Sequence, residues 1–192
     1  MARSRSKPTA GAKGTSKAKA EPPPVLVAHG WSLWFHPCAL EQLKKVVAKA
    51  REEQEARKKG KAPSRTEGGN TKLLAHLWSL IAEEIPQDPG SGRYRQGRTL
   101  GKEHKHWYRG KTGNGRYRLF FRYASDSKTI VYGWVNDEQT LRTYGSSTDA
   151  YSVCRQRLAQ GKPPDDWDTL LAQCQTEQAL ADATPFVSER AT

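Results

Sequence analysis

The sequence predicts an α+β fold: an N-terminal helical hairpin packed on an antiparallel sheet, with further helices at the C-terminus. Apolar residues recur at helical spacing across 40–50 and 73–85, alternating strand patterns occupy 106–135, and helical spacing returns beyond 147.

In chain order, GWSLWF at 30–35 is short, aromatic and bounded by Gly30 and Pro37, so it reads as a first strand. Leu40, Leu43, Val46, Val47 and Ala50 line one face of a helix that fades into the charged stretch REEQEARKKGK at 51–61, where GKAPS breaks it. Leu73, Leu74, Leu77, Trp78, Ile81 and Ile85 stripe a second helix, with Asn70 or Thr71 as N-cap and Pro86 just past its end. PQDPGSG at 86–92 is a loop. Strands follow at 106–111, 115–124 and 128–135, joined by the GNG turn and a turn around Ser125 to Ser127, most simply as an antiparallel meander. NDEQTLRTYG at 136–145 predicts a short helix, with Asn136 as N-cap, Gln139 at the reciprocal capping position and Gly145 to end it. Another helix opens at Ser147 or Thr148 and runs towards Leu158, and a last one from Asp165 carries Trp167, Leu170, Leu171 and Cys174. Asp137 and Asp149 read as helix N-terminal caps rather than metal ligands. The folded domain is expected over 25–178, between a disordered basic tail at 1–24 and a frayed end at 179–192.

Residues 1–20 carry six Lys/Arg and no acid, and are too poor in apolar groups to offset their ordering entropy. Their composition is like that of organelle transit peptides, but they lack an amphipathic period, and the chain has no apolar run of membrane length. A cytoplasmic protein with no membrane partner is expected. Cys38, Cys154 and Cys174 are odd in number and lack C-x-x-C spacing, which points to buried thiols in a reducing compartment. His104 and His106 form an H-x-H pair, yet no further Cys, Asp or Glu stands nearby at finger-like spacing, so neither a metal nor another cofactor is expected.

The net charge of +12 favours a polyanionic partner, since neutralising phosphates releases counterions. Its placement is uneven: residues 93–122 hold ten Lys/Arg against one acid, Glu103, whereas from Asp137 onward nine acids outnumber five Lys/Arg. The basic stretch leads into GNGRYRLFFRY at 113–123. On a strand over 116–123, Arg116, Arg118, Phe120 and Arg122 share one face while Tyr117, Leu119, Phe121 and Tyr123 share the other. The second face packs; the first is left for phosphates, through paired guanidinium donors, with an aromatic available for base stacking. That pattern points to RNA.

Metal-independent RNA cleavage uses the neighbouring 2′-hydroxyl as nucleophile, so a protein must take its proton, stabilise a dianionic phosphorane and protonate the leaving 5′-oxygen. Alternation on 106–111 puts Arg109 and Lys111 on one face, where Arg118 of the adjoining strand converges with them. Lys111 suits proton transfer, and a base or acid role stays open to a histidine beside the cluster, His104 or His106. Lys105, His106, Arg116 and Arg122 are the expected RNA-binding side chains.

The strings GRYRLFFRY, GW-x-NDE-x-TLRTYG, TDAY and PP-x-DW-x-TLL, with W-S-L-x-x-HPC at 31–38 and KLLA at 72–75, resemble the YhaV family of bacterial type II toxins over residues 28–175. The resemblance implies a small toxin similar to the RelE superfamily that cleaves mRNA in association with translating ribosomes. Its implied partner is a cognate antitoxin of the PrlF type, with DNA reached only through the antitoxin complex. By the same resemblance, the paired basic residues before the RelE turn fall on Arg109 and Lys111, and the arginine of its GYRL segment falls on Arg118. The RelE arginine and tyrosine near the C-terminus fall on Arg142 and Tyr144. RelE has lysine where this chain has Arg109, and a guanidinium stabilises charge far better than it acts as a base. The base role therefore moves to Lys111, to a tyrosine or to the ribosome. A helix over 136–145 also sets Arg142 and Tyr144 about 200° apart, so both face one phosphate only if it ends between them.

The expected products are a 2′,3′-cyclic phosphate or 3′-phosphate and a 5′-hydroxyl. The main alternative is a non-catalytic RNA- or ribosome-binding module that uses the same basic sheet for affinity. A DNA-binding repressor fits the charge but lacks a recognition-helix motif.

Overall fold

The computed structural model describes residues 22–60 and 69–188, so most of the expected tail over 1–24, most of GKAPS and residues 189–192 lie outside the described residues. Two strands precede the first helix where one was predicted. β1 (Leu26–Ala28) and β2 (Trp31–Phe35) form a hairpin whose two turn residues, His29 and Gly30, both have positive φ, at 49° and 77°. That geometry suits the twist of paired antiparallel strands. Three residues of β1 are too few to show a period, which is why the sequence does not reveal it.

The helix α1 (Pro37–Lys58) starts where the HPC string dictates. His36 is its N-cap, accepting the Cys38 amide at Nδ1 (3.1 Å), and Pro37 occupies the first turn, where a missing N–H costs nothing. The same imidazole reaches Gln173 with Nε2 at 2.7 Å, and burial pulls its pKa down. After the turn, α2 (Gly69–Trp78) continues through a π-helical stretch (Ser79–Glu84) into α3 (Ile85–Gln87), so Pro86 lies in the last turn of the run rather than beyond it. The Tyr132 hydroxyl donates to the Ile81 carbonyl at 2.6 Å inside that stretch.

The meander forms as expected. β3 (Tyr108–Thr112) pairs antiparallel with β4 (Tyr117–Ala124), and β4 with β5 (Thr129–Val135). β2 then pairs parallel with β5, which makes the sheet mixed, in the order β1-β2-β5-β4-β3. The helical hairpin of α1 to α3 supplies the long crossover that parallel pairing requires. Gly110, between Arg109 and Lys111, lets β3 approach the π-helical stretch: a Cβ there would lie 2.6 Å from a Leu80 methyl.

α4 (Ala150–Ala159), α5 (Trp167–Cys174) and α6 (Glu177–Ser188) complete the chain. The expected frayed end is instead α6, with Ala179, Ala183, Phe186 and Val187 buried at helical spacing and the Phe186 ring edge-on to Phe35 and Trp78. Both sheet faces are therefore covered. Leu33, Phe35, Leu119, Phe121 and Tyr132 pack against the first helices and α6; Trp34, Phe120, Val131 and Trp134 pack against α4 and α5. Cys154 and Cys174 are buried thiols, whereas Cys38 is partly exposed. No helix among the described residues is long and apolar enough to cross a membrane.

The predicted helix over 136–145 is absent, and an irregular loop stands there. The cap-like residues make turns instead: the Asp137 carboxylate accepts the Gln139 and Thr140 amides at 3.0 and 3.1 Å, while the buried Asn136 amide bonds the Arg116 and Thr140 carbonyls. Such local side-chain bonds compete with helix formation. Asp149, by contrast, caps α4 as read, accepting the Tyr151 amide at 3.0 Å.

Glu53 of α1 reaches across the helical hairpin and holds the start of α2, accepting the amides of Asn70 and Thr71, the Asn70 side chain and the Thr71 hydroxyl at 2.8–3.1 Å. Burial works to raise its pKa, but these donors outweigh it and set the pKa at about 2, against an ordinary 4.5. A depressed carboxyl contributes stability that is complete above the unfolded-state pKa and lost as pH falls from about 4.5 to about 2. Glu53→Gln is expected to cost about 1 kcal/mol at pH 7, and urea melts at pH 7 and pH 3 should show the difference from wild type shrinking at the lower pH.

Candidate active site

The register of β3 and β4 sets Lys111 opposite Arg118 and Arg109 opposite Phe120, so the three predicted cations do share one face. That face is not open sheet, because α4 lies across it. Tyr151, in the first turn of α4, enters between the cations: its hydroxyl accepts Arg109 Nε at 2.8 Å and Arg118 Nε at 3.3 Å, and its ring edge packs on Phe120. The Arg109 guanidinium also donates to the Arg93 carbonyl at 2.6 Å. Arg118 is only 6% exposed and turns back on its own hairpin, donating to the Gly115 and Tyr117 carbonyls at 2.6 and 2.9 Å. Lys111 stands exposed beside it, with no ion pair among the described residues.

The 136–145 loop brings the remaining pair. Asn136 accepts the Arg118 amide, and the Arg142 amide bonds the Arg116 carbonyl at 3.0 Å, so the loop runs along the start of β4. Arg142 then lies against two rings: its guanidinium carbon is 3.6 Å from the Tyr144 ring centroid and 5.0 Å from that of Tyr151. Loss of the predicted helix removes the angular conflict between positions 142 and 144. Asp149 ion-pairs with Arg142 and accepts the Thr143 amide at 2.7 Å, so one buried carboxylate caps α4 and anchors this loop. Tyr144 itself is 87% exposed.

The four expected RNA-binding positions separate. Arg116 and Lys105 are exposed, the first in the β3–β4 turn and the second in the loop before β3. Arg122 is committed elsewhere: its guanidinium lies over Trp107 and Trp167 and donates to the Asp165 carbonyl, and burial pulls its pKa down against the pull of Asp165 and Asp166. His106 bonds the Asp165 carboxylate at 2.8 Å, away from the Arg118 end of the sheet.

Two residues carry more than the sequence predicts for them. Tyr151 is at the centre of the cation cluster, and its only sequence signal is its place in TDAY. Asp165 supplies a third donor beside His104 and His106, so a set able to hold a cation assembles from positions 59 residues apart.

The description of a toxin with endonuclease activity, of a toxin-antitoxin system, matches residues 33–175 of the chain. Over 144 residues, 74% of the chain and 90% of the relative, the chain is 46% identical to the ribonuclease toxin YhaV of Escherichia coli K12. Over the same shares it is 46% identical to the toxin YhaV of Escherichia coli O157:H7 and 48% identical to that of Escherichia coli O6:H1. No solved structure matches the chain significantly.

Tyr151→Phe keeps the ring packing but leaves two guanidinium N–H groups without their acceptor. The expected cost is about 1–3 kcal/mol, read as a lower urea midpoint at unchanged m.

Proposed function

The chain belongs to the YhaV family of toxin-antitoxin toxins with endonuclease activity, and we propose that it is an endoribonuclease whose reacting phosphate docks on Lys111 and Arg109 above the Tyr151 hydroxyl. The observation that carries this reading is the meeting of Arg109, Arg118 and Arg142 around one tyrosine, where Asp149 is the one carboxylate paired with them among the described residues. Such a site holds surplus positive charge already fixed in place, which is what a phosphorane gaining negative charge requires.

Roles follow from the donors. The 2′-oxygen bonds to phosphorus as the bond from phosphorus to the 5′-oxygen breaks; a base takes the 2′ proton and an acid gives one to the 5′-oxygen. Arg109 has a fixed charge and one terminal nitrogen without a hydrogen-bond partner among the described residues, so it binds a phosphoryl oxygen. Arg118 is buried and contributes field and alignment rather than a clamp. The Tyr151 hydroxyl accepts from two guanidiniums and so has its own proton left to donate, which suits the acid; exposed Lys111, an ammonium with donors only, binds the phosphate, and the base is left to a tyrosine or the ribosome. Arg142 and Tyr144 form the far wall, where the exposed tyrosine ring offers a surface for a base to stack on.

The substrate in this reading is mRNA, met on the translating ribosome, where exposed Lys105, Arg116 and Lys111 add salt-dependent affinity. The partner is an antitoxin, which we assign to the PrlF type, and contact with DNA runs through that complex. The toxin acts in the bacterial cytoplasm.

Arg109→Ala is expected to lower cleavage of mRNA by about 100-fold or more while leaving RNA binding within a few-fold of wild type. Product ends mapped in EDTA, with and without ribosomes, should carry 5′-hydroxyls. Ends with 5′-phosphates would overturn the transesterification, and an equal loss of binding and cleavage in Arg109→Ala would favour a module that only binds.

A further inference from the structure

The start of β3 and the α4–α5 linker meet at a point the reaction does not use. His104 Nδ1 lies 3.2 Å and His106 Nε2 lies 2.8 Å from Asp165 Oδ1, and one donor atom from each of the three residues lies within 4.8 Å of the others. The indole nitrogen of Trp107 donates to that same oxygen at 2.6 Å. Hydrogen bonding alone accounts poorly for this set, because Trp107 and His106 already occupy Oδ1. His104 Nδ1 is sealed from solvent and has no hydrogen-bond partner despite its 3.2 Å approach. Here a buried imidazole nitrogen stands unpartnered beside a carboxylate oxygen that two other groups have already claimed.

We propose that His104, His106 and Asp165 form a binding site for a divalent cation of the zinc type. Two imidazoles and a carboxylate are a borderline donor set suited to zinc, with water in the fourth position. Ligand atoms of a tetrahedral zinc stand about 3.3 Å apart for bonds of about 2.0 Å, and the 2.8 and 3.2 Å separations lie close to that spacing. The outer partners are present as well. Trp107 holds the carboxylate, and the Asp165 carbonyl accepts from Arg122 between its two indoles. An entry path is open, since the His106 and Asp165 side chains are 38% and 37% exposed while His104 is 15% exposed.

The ion would act as a staple. It ties the entry of β3 to the linker ahead of α5, closing a loop of some sixty residues that contains the meander, the 136–145 loop and α4. Arg109 is three residues beyond His106 on the stapled strand, so the ion steadies the reacting cations without touching the phosphate.

The test uses untagged full-length protein stripped with chelator. Titration with Co2+ should give the visible absorption of a tetrahedral site without a thiolate band, Zn2+ should displace it at one ion per chain, and Zn2+ at a hundredfold excess over Kd should raise Tm by about 5–10 °C. His106→Gln, and separately His104→Gln, should abolish both signals in protein whose circular dichroism matches wild type. Absence of binding in the wild type overturns the proposal. So does binding that survives both substitutions, and so does a cobalt–thiolate band, which would put the ion on Cys38.

Discussion

Burial of cationic side chains on β4 with few carboxylates to meet them is the constraint from which the rest of the molecule follows. Taking a guanidinium out of water costs several kcal/mol unless its N–H groups are satisfied. Arg118 is satisfied by a tyrosine hydroxyl and two carbonyls of its own hairpin, and Arg122 by a carbonyl and two indole faces. Neutral acceptors settle the hydrogen bonds and leave the charge. The helix that covers this face must therefore bring Tyr151 to one end of β4, and the linker after it must bring Asp165 to the other. Placement of α4 and α5 is as much a matter of satisfying two arginines as of covering Phe120 and Trp134.

The loop at 136–145 answers the same constraint from the other side. Asn136 is buried at the end of β5, where its side chain extends the bonding of β4 by one more strip: it accepts the Arg118 amide and donates to the Arg116 carbonyl. A helix starting at Asn136 would leave those edge groups unpaired. The irregular path costs backbone regularity, and in exchange it delivers Arg142 to the Tyr151 ring, where Asp149 neutralises it. Three arginines and one aspartate around a tyrosine leave a net positive charge facing outward, in the position where exposed Lys111 and Tyr144 begin.

What the sequence reveals and what it hides divide along physical lines. The meander, the helical hairpin and the shared face of Arg109, Lys111 and Arg118 are legible because alternation and helical spacing are local signals. β1 is hidden because three residues have no period, and parallel pairing of β2 with β5 is hidden because the sequence near β2 does not name its partner. NDEQTLRTYG misleads because the residues that cap a helix are the same ones that make turns, and only the edge of β4 decides between the two. α6 has a periodic apolar stripe at 179, 183, 186 and 187 that its position at the chain end obscures. Tyr151 and Asp165 are legible only as residue types, since what matters about each is a partner some forty to sixty residues away.

Density of charge in a sequence therefore overcounts the residues available to a ligand. Arg118 and Arg122 sit on one face of one strand, four residues apart, and a strand pattern makes them equivalent. Packing makes them different. Arg122 lies between indoles at the end where His106 and Asp165 meet, so its charge is spent on holding the linker to the sheet. Arg118 lies at the end where the hairpin turns and Lys111 is exposed, so its charge adds to a field that a phosphate can reach. Neither arginine is a base, and the buried one touches no solvent-borne group directly. The arginines thereby fix positive charge at the hairpin end of β4, where Lys111 is exposed at the rim and the Tyr151 hydroxyl lies buried beneath it.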